Sequence, residues 1–151
     1  MVLMLNLKFE IRGYQDRQYY TDSGASKKIR SAVEGICLDV AGGNSANRTP
    51  VQVTICNGNE SQEWTINDKD RTIRALGKCL DVSNASTENG AIVQIFECNG
   101  SGAQKWIVSM THEIVSLSAW KCLAIRTPAQ EGAQTQIEDC DGSANQKWSL
   151  E

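Results

Sequence analysis

Short runs of alternating apolar and polar residues recur along residues 28–151, and each run has the length of a β-strand. Residues with turn chemistry (Gly, Asn, Asp and Ser) separate the runs, as in segments 41–47 and 83–90. No segment keeps its apolar residues on the 3.6-residue period of an amphipathic helix. The pattern therefore predicts an all-β domain whose strands include Val51–Ile55, Ala91–Phe96 and Glu113–Leu117.

The same pattern occurs three times with a period of about 42 residues, in copies that span 28–70, 71–110 and 111–151. Each copy has a cysteine near its start, a second cysteine further on, and a Gln-x-Trp sequence near its end. A unit of this size cannot bury its own apolar face, so the copies must share one core. Three copies favour a single closed barrel, because propeller rings need at least about four blades. The tryptophans expected to fill this core are Trp64, Trp106 and Trp148.

Composition narrows the function classes. The chain has 15 basic and 18 acidic residues among 151, so nothing in its charge favours nucleic acid or an anionic membrane surface. No stretch approaches the roughly 20 apolar residues that span a bilayer. One histidine and the lack of close cysteine pairs argue against zinc. The acidic loop with Glu138, Asp139 and Asp141 is more simply a solvated loop than a cation site, so we expect no metal and no cofactor.

Six cysteines, two in each copy, indicate an oxidising compartment and hence a secreted protein. A threefold-symmetric fold leaves two pairing schemes, one within each copy and one that joins each second cysteine to the next copy's first. We favour the scheme within each copy, with about 3 kcal/mol expected from each bridge. Its pairs are Cys37–Cys56, Cys79–Cys98 and Cys122–Cys140.

Residues 1–27 do not belong to the repeat. We therefore predict a boundary between this N-terminal segment and a domain at 28–151. Apolar and polar residues alternate along residues 3–11, which predicts one half-buried strand, and residues 21–26 resemble a linker. The strand either covers the side of the domain or is the last strand of a preceding domain. The apolar start at residues 1–5 lacks the features of a signal peptide, which favours a removed leader or a piece of a longer chain.

The recurring motifs resemble a known family. Cys-Leu-Asp-Val opens the first two copies and Gln-x-Trp ends all three, as in the ricin B-type β-trefoil lectins, also called carbohydrate-binding module family 13. The resemblance covers roughly residues 28–150 and implies a β-trefoil with pseudo-threefold symmetry. It also implies a sugar site in each copy, built from the Asp of the opening motif, an aromatic residue two positions before the second cysteine, and polar groups near that cysteine.

Carried onto this chain, the resemblance makes the copies unequal. The second copy is favoured and would bind sugar through Asp81, Gln94, Phe96, Asn99 and Gln104. The first copy is weaker, because Thr54 stands at the stacking position; its candidates are Asp39, Gln52 and Asn57. The third copy has Ala124 in place of the Asp and Glu138 at the stacking position. In the alternative interpretation, the aspartates cap turns and Phe96 is a core residue.

The expected function is binding of galactose, N-acetylgalactosamine or related sugars on cell-surface or polysaccharide glycans. The resemblance implies a targeting domain of a larger secreted protein, such as a pore-forming toxin, or a module of a glycoside hydrolase. A third reading is a trefoil scaffold that has lost sugar binding. Catalysis by the domain itself is not expected, because no pair of carboxylates faces across a cleft and His112 has no nucleophile motif beside it.

Overall fold

The structure is a computed structural model that describes residues 24–151. The strand predicted at residues 3–11 lies outside the described residues. Within them, the chain forms thirteen short strands joined by turns, which confirms the all-β prediction. The strands are Ser26–Lys27 (β1), Ile29–Ser31 (β2), Ile36–Val40 (β3), Val51–Ile55 (β4), Trp64–Asn67 (β5), Thr72–Ala75 (β6), Lys78–Val82 (β7), Val93–Phe96 (β8), Trp106–Val108 (β9), Ile114–Ser116 (β10), Lys121–Ile125 (β11), Thr135–Glu138 (β12) and Trp148–Leu150 (β13).

The strands pair antiparallel in three sheets, with the orders β1-β5-β6-β7-β8, β12-β11-β10-β9 and β13-β2-β3-β4. The pairing of β13 with β2 places Trp148 opposite Ser31 and joins the end of the third copy to the start of the first. Strand β1 pairs with β5, so the sheet begins at Ser26, two residues before the boundary predicted at residue 28. Among residues 24–151, no helix has the length and apolar character needed to cross a bilayer.

Backbone hydrogen bonds between the copies repeat with the period of the sequence. A loop of each copy lies against a strand of the next copy through a reciprocal pair of bonds about 42 residues apart. In each pair, the first bond is donated by a backbone N–H of the loop. These bonds are Arg48 N to Ile95 O (2.8 Å), Gly90 N to Ile137 O (2.8 Å) and Gly132 N to Val53 O (2.7 Å). The returning bonds run from Ile95 N to Thr49 O, from Ile137 N to Ala91 O and from Val53 N to Ala133 O, each 3.0 Å long. Each copy therefore places one of its loops on the surface of a neighbouring copy.

The three copies bury one shared core. Trp64, Trp106 and Trp148 are 0%, 2% and 3% exposed and pack with the leucines, isoleucines and valines of the strands. Each indole N–H donates to a leucine carbonyl at 3.0 Å, and the acceptors are Leu38, Leu80 and Leu123. A buried indole keeps its polar N–H satisfied in this way. The tryptophans are therefore core residues.

All six cysteines form disulfides, and the pairing is the one within each copy. The structure joins Cys37 to Cys56, Cys79 to Cys98 and Cys122 to Cys140, with Cα–Cα distances of 5.0–5.1 Å. Each bridge ties the second strand of a copy to the segment just after its third strand. The second bridge thereby fixes the segment with Asn99 beside β7, which carries Asp81.

Candidate functional site

A surface cavity of about 300 Å³ lies at the second copy. Four of the five residues predicted for a sugar site there line it together: Asp81, Gln94, Phe96 and Asn99. The fifth, Gln104, is fully buried behind Asp81. The remaining walls come from Arg48, the turn with Asn84 and Ala85, and the loop with Ser101 and Ala103.

Asp81 forms the floor of this cavity. It lies in β7 directly opposite Gln94 of β8, and it is 6% exposed. Its Oδ1 accepts a hydrogen bond from Gln94 Nε2 at 3.1 Å, and its Oδ2 accepts one from Gln104 Nε2 at 2.9 Å. An ionised carboxylate has about four acceptor positions. Two amide donors therefore fix the carboxylate in place and leave it capacity for the hydroxyl groups of a ligand.

Gln104 positions the site instead of facing the cavity. Its Nε2 donates both to Asp81 and to Glu97 O (2.9 Å), while its Oε1 accepts from Asn99 N (2.9 Å). Gln62 and Gln146 make the corresponding backbone bonds in the other copies, so this part of the role belongs to the fold. The contact with the carboxylate is what distinguishes Gln104, and it links Asp81 to the Asn99 loop.

Phe96 forms one side of the cavity at the end of β8. Its ring is partly exposed, and the guanidinium of Arg48 lies 5.2 Å from the ring centroid. On the Asn99 loop, the side-chain carbonyl accepts from Ser101 N at 3.0 Å. That bond leaves the Asn99 amide nitrogen as the group able to donate to a ligand. The cavity thus combines an acceptor floor, an aromatic wall and an amide donor.

Sequence comparison of the copies did not find Arg48 or the turn at Asn84 and Ala85. The turn residues follow β7 with φ values of 58° and 53°, a left-handed conformation, and both line the cavity. Arg48 belongs to the first copy and reaches the second only through the loop contact between copies. The one signal in the sequence is that the residues equivalent to Arg48 are Gly90 and Gly132.

Burial raises the pKa of the Asp81 carboxyl above its ordinary value, although the amides of Gln104 and Gln94 and the charge of Arg48 act in the opposite direction. Accepting hydrogen bonds from two sugar hydroxyl groups, the role that the family resemblance implies for Asp81, needs the ionised form. We therefore expect the affinity for a sugar to fall on acidification at a higher pH than the ordinary aspartate pKa of about 3.9 would give. Calorimetric or NMR titrations across pH 3–7 would measure this, and an affinity that stays constant down to about pH 4 would contradict it.

The same shift affects folding with the opposite sign. Because the folded-state pKa is raised, the protonated Asp81 adds stability below the unfolded-state pKa, and this contribution is lost as the pH rises through the folded-state value. Acidification through this window should therefore improve the stability of the native protein relative to Asp81→Ala. The two melting curves, followed over the same pH series, provide the check.

The first copy has a similar carboxylate but a different surrounding. Asp39 is 4% exposed and accepts from Gln52 Nε2 (3.0 Å) and Ser61 Oγ (2.8 Å), so a serine takes the part that Gln104 has in the second copy. At the stacking position, the Thr54 hydroxyl donates to the carboxylate of Glu131 from the third copy at 3.0 Å. The predicted Asn57 accepts from Asn59 N at 2.9 Å in the loop that follows. Among residues 24–151, this site has a carboxylate but no aromatic residue at the position that Phe96 has in the second copy.

The third copy lacks the carboxylate floor. Ala124 is fully buried at that position, and Asn145 donates to the Ile125 carbonyl at 2.9 Å. The amide of Gln136 donates to Glu138, and its carbonyl accepts from Arg126 at 2.7 Å. Polar groups of this copy thus satisfy one another. In the part of the chain that the structure describes, no group of three or more His, Cys, Asp or Glu residues is arranged to hold a metal ion.

Comparison with known proteins gives a consistent result. The family model described as "Ricin-type beta-trefoil lectin domain" matches residues 25–151. Nigrin b from Sambucus nigra is 34% identical over 74 residues, which cover 49% of this chain and 13% of nigrin b. The chain therefore spans only a small part of that curated relative.

Solved structures share the fold. A non-toxic homologue of type II ribosome-inactivating proteins from Momordica charantia, determined with α-methyl-D-galactoside, is 27% identical with a TM-score of 0.75. The alignment covers 86% of this chain and 48% of that one. The designed threefold-symmetric protein ThreeFoil is also 27% identical, with a TM-score of 0.76 and coverage of 83% and 96%. These likenesses confirm the predicted β-trefoil.

Proposed function

Because the chain belongs to the family of ricin-type β-trefoil lectin domains, we propose that it is a carbohydrate-binding module with one main site, in the cavity of the second copy. The observation that carries the proposal is the buried carboxylate of Asp81 in the same cavity as the ring of Phe96. Neither of the other copies combines a carboxylate with an aromatic residue at these positions.

The proposed ligand is a galactose-type sugar. Two neighbouring hydroxyl groups would donate to Asp81, and hydrogen bonds to an ionised acceptor are stronger than neutral ones. The apolar C–H face of the sugar would pack on Phe96, while Asn99 donates its amide to a further hydroxyl. In galactose the axial 4-hydroxyl leaves a continuous apolar patch on one face of the ring, which suits this arrangement. The galactoside bound to the Momordica charantia homologue supports the same class.

The affinity of such a shallow site should be low, with a dissociation constant on the order of 1 mM, or about 4 kcal/mol. Useful binding would then require several sites or an attached partner. We propose a secreted protein, in line with three disulfides, in which the domain directs a toxin chain to surface glycans. The similarity to a ribosome-inactivating protein from Polygonatum multiflorum supports this setting.

The stacking contact gives a direct test. We expect Phe96→Ala to weaken binding of methyl α-galactoside about three- to tenfold, because an aromatic contact contributes about 0.5–1.5 kcal/mol beyond its buried area. NMR titration of the native protein and the variant would measure the change. Thr54→Ala, at the equivalent position of the first copy, is the matched control and should bind as the native protein does.

The sugar class is tested in the same titration with methyl α-glucoside, which differs from the galactoside only at the 4-hydroxyl. We expect clear saturation with the galactoside and a weaker response to the glucoside. Spectra that stay unchanged with both sugars would favour a trefoil scaffold that has lost sugar binding.

A further inference from the structure

Arg48 occupies a backbone position that the other two copies give to glycine. Its φ is 72°, and the equivalent Gly90 and Gly132 have φ values of 89° and 88°. All three residues donate the same backbone bond to the next copy. An L-residue in this left-handed region costs about 1–2 kcal/mol, whereas glycine adopts it freely. The one loop that carries an arginine here is the loop facing the cavity with both Asp81 and Phe96.

The guanidinium of Arg48 is placed at the rim of that cavity. It lies 5.2 Å from the centroid of the Phe96 ring, a cation–π contact, and Arg48 lines the cavity. Among residues 24–151, no carboxylate lies within ion-pair distance of it, in contrast to Arg30 and Arg74. Since a guanidinium has five N–H donors in a planar fork that matches an oxyanion, those donors are available to a ligand.

The cavity has a negative charge at its floor and a positive charge at its rim. The carboxylate of Asp81 is buried and held by two amides, while the cation of Arg48 is exposed above the ring. A neutral sugar would use the floor but would bring no negative charge of its own to the cation at the rim, whose charge in the cavity is opposed only by Asp81 among the described residues. A sugar whose hydroxyl groups face the floor and whose negatively charged group faces the rim would complement both.

We propose that the second-copy cavity prefers galactose-type sugars that carry an oxyanion, as a sulfate ester or a carboxylate, and that Arg48 from the first copy is the residue that recognises it. The inference rests on the proposed function and adds the class of sugar. Arg48 acts through charge and hydrogen bonding at the rim, so the preference for the anion is sensitive to salt. The site is thus built from two copies of the repeat.

The test uses the full chain and four ligands: methyl β-galactoside, its 3-sulfate, its 6-sulfate and methyl galacturonoside. Native protein should bind at least one anionic ligand about tenfold more tightly than the neutral galactoside, equivalent to about 1.4 kcal/mol. The sulfated and carboxylate ligands show which oxyanion fits. Raising the salt from 0.05 M to 0.5 M should reduce the preference without changing neutral binding.

Arg48→Gly is the decisive variant, because it copies the residue that the other two copies have and relieves the left-handed strain. Its melting temperature should equal or exceed that of the native protein, so lost binding cannot reflect unfolding. We expect it to lose the preference for the anion, so that its affinities for the anionic galactosides and for methyl β-galactoside become equal within about threefold. Arg126→Gln, which removes a cation from the third copy, should keep the preference.

Three results would overturn the inference. Equal affinity of the native protein for neutral and anionic galactosides would overturn the inference and would leave the proposed function intact. Arg48→Gly that weakens all ligands by the same factor would show that Arg48 bonds only to sugar hydroxyls. Arg48→Gly that binds every ligand more tightly would show that the guanidinium covers the ring. If no galactoside bound the native protein at all, the proposed function itself would fail.

Discussion

Replacing Asp81 with alanine will abolish detectable binding of methyl α-galactoside while the domain stays folded. Each hydrogen bond to a charged acceptor contributes about 1.5–3 kcal/mol, and the whole monosaccharide affinity is only about 4 kcal/mol. Losing two such bonds shifts the dissociation constant from about 1 mM to beyond the measurable range. Isothermal calorimetry or NMR titration of purified native and variant protein provides the measurement.

Two observations make this variant interpretable. The third copy already has an alanine, Ala124, at the equivalent position and still folds into the same strand. In the variant, Gln104 keeps its bond to Glu97 O while Gln94 loses its acceptor, so we expect a loss of about 1–2 kcal/mol in the free energy of unfolding. Asp39→Ala removes the equivalent carboxylate of the first copy. That control should bind normally, and undiminished binding by Asp81→Ala would place the main site elsewhere.

Trp106→Ala should have the largest effect on stability. The indole is 2% exposed in the core that all three copies share, and its N–H donates to Leu80 O. Truncation of a buried tryptophan costs about 3–5 kcal/mol, which is a large fraction of the roughly 5–15 kcal/mol that stabilises a typical domain. Chemical denaturation followed by circular dichroism would show a midpoint shifted far below the native value.

The matched control is Trp120→Ala. Trp120 is 57% exposed and has no counterpart in the other two copies. Its replacement should change the free energy of unfolding by no more than about 1 kcal/mol. Equal destabilisation by the two variants would contradict a core built on the repeated tryptophans.

The sequence predicts the fold well because the repeated features are local to each copy. The spacing of Trp64, Trp106 and Trp148 implies a shared core, and the strand at Val51–Ile55 has the bounds that the alternation predicts. The part of the candidate site that lies within the second copy can be predicted for the same reason. Asp81 and Gln94 face each other across one strand pair, and Phe96 ends that pair, so their convergence follows from the register of a single copy.

Other parts of the site depend on packing that no single copy specifies. Arg48 reaches Phe96 because the closed barrel sets a loop of the first copy against a strand of the second. The partner of the floor carboxylate also differs between copies, since Ser61 reaches Asp39 while Gln104 reaches Asp81. At the position of Ser61 the second copy has Ala103, which cannot donate, and the buried glutamine amide fills that place. These differences in hydrogen-bond partner depend on which side chains come close to the carboxylate in the folded structure.

The most direct test of the central claim is a residue-resolved NMR titration of the native protein with methyl α-galactoside. The proposed site predicts that the amide signals of Asn84, Asn99 and Ser101 shift and saturate together, while those of the equivalent loops in the first and third copies stay in place. Shifts of equal size in all three copies, or none near the second-copy cavity, would contradict a single main site built on Asp81 and Phe96.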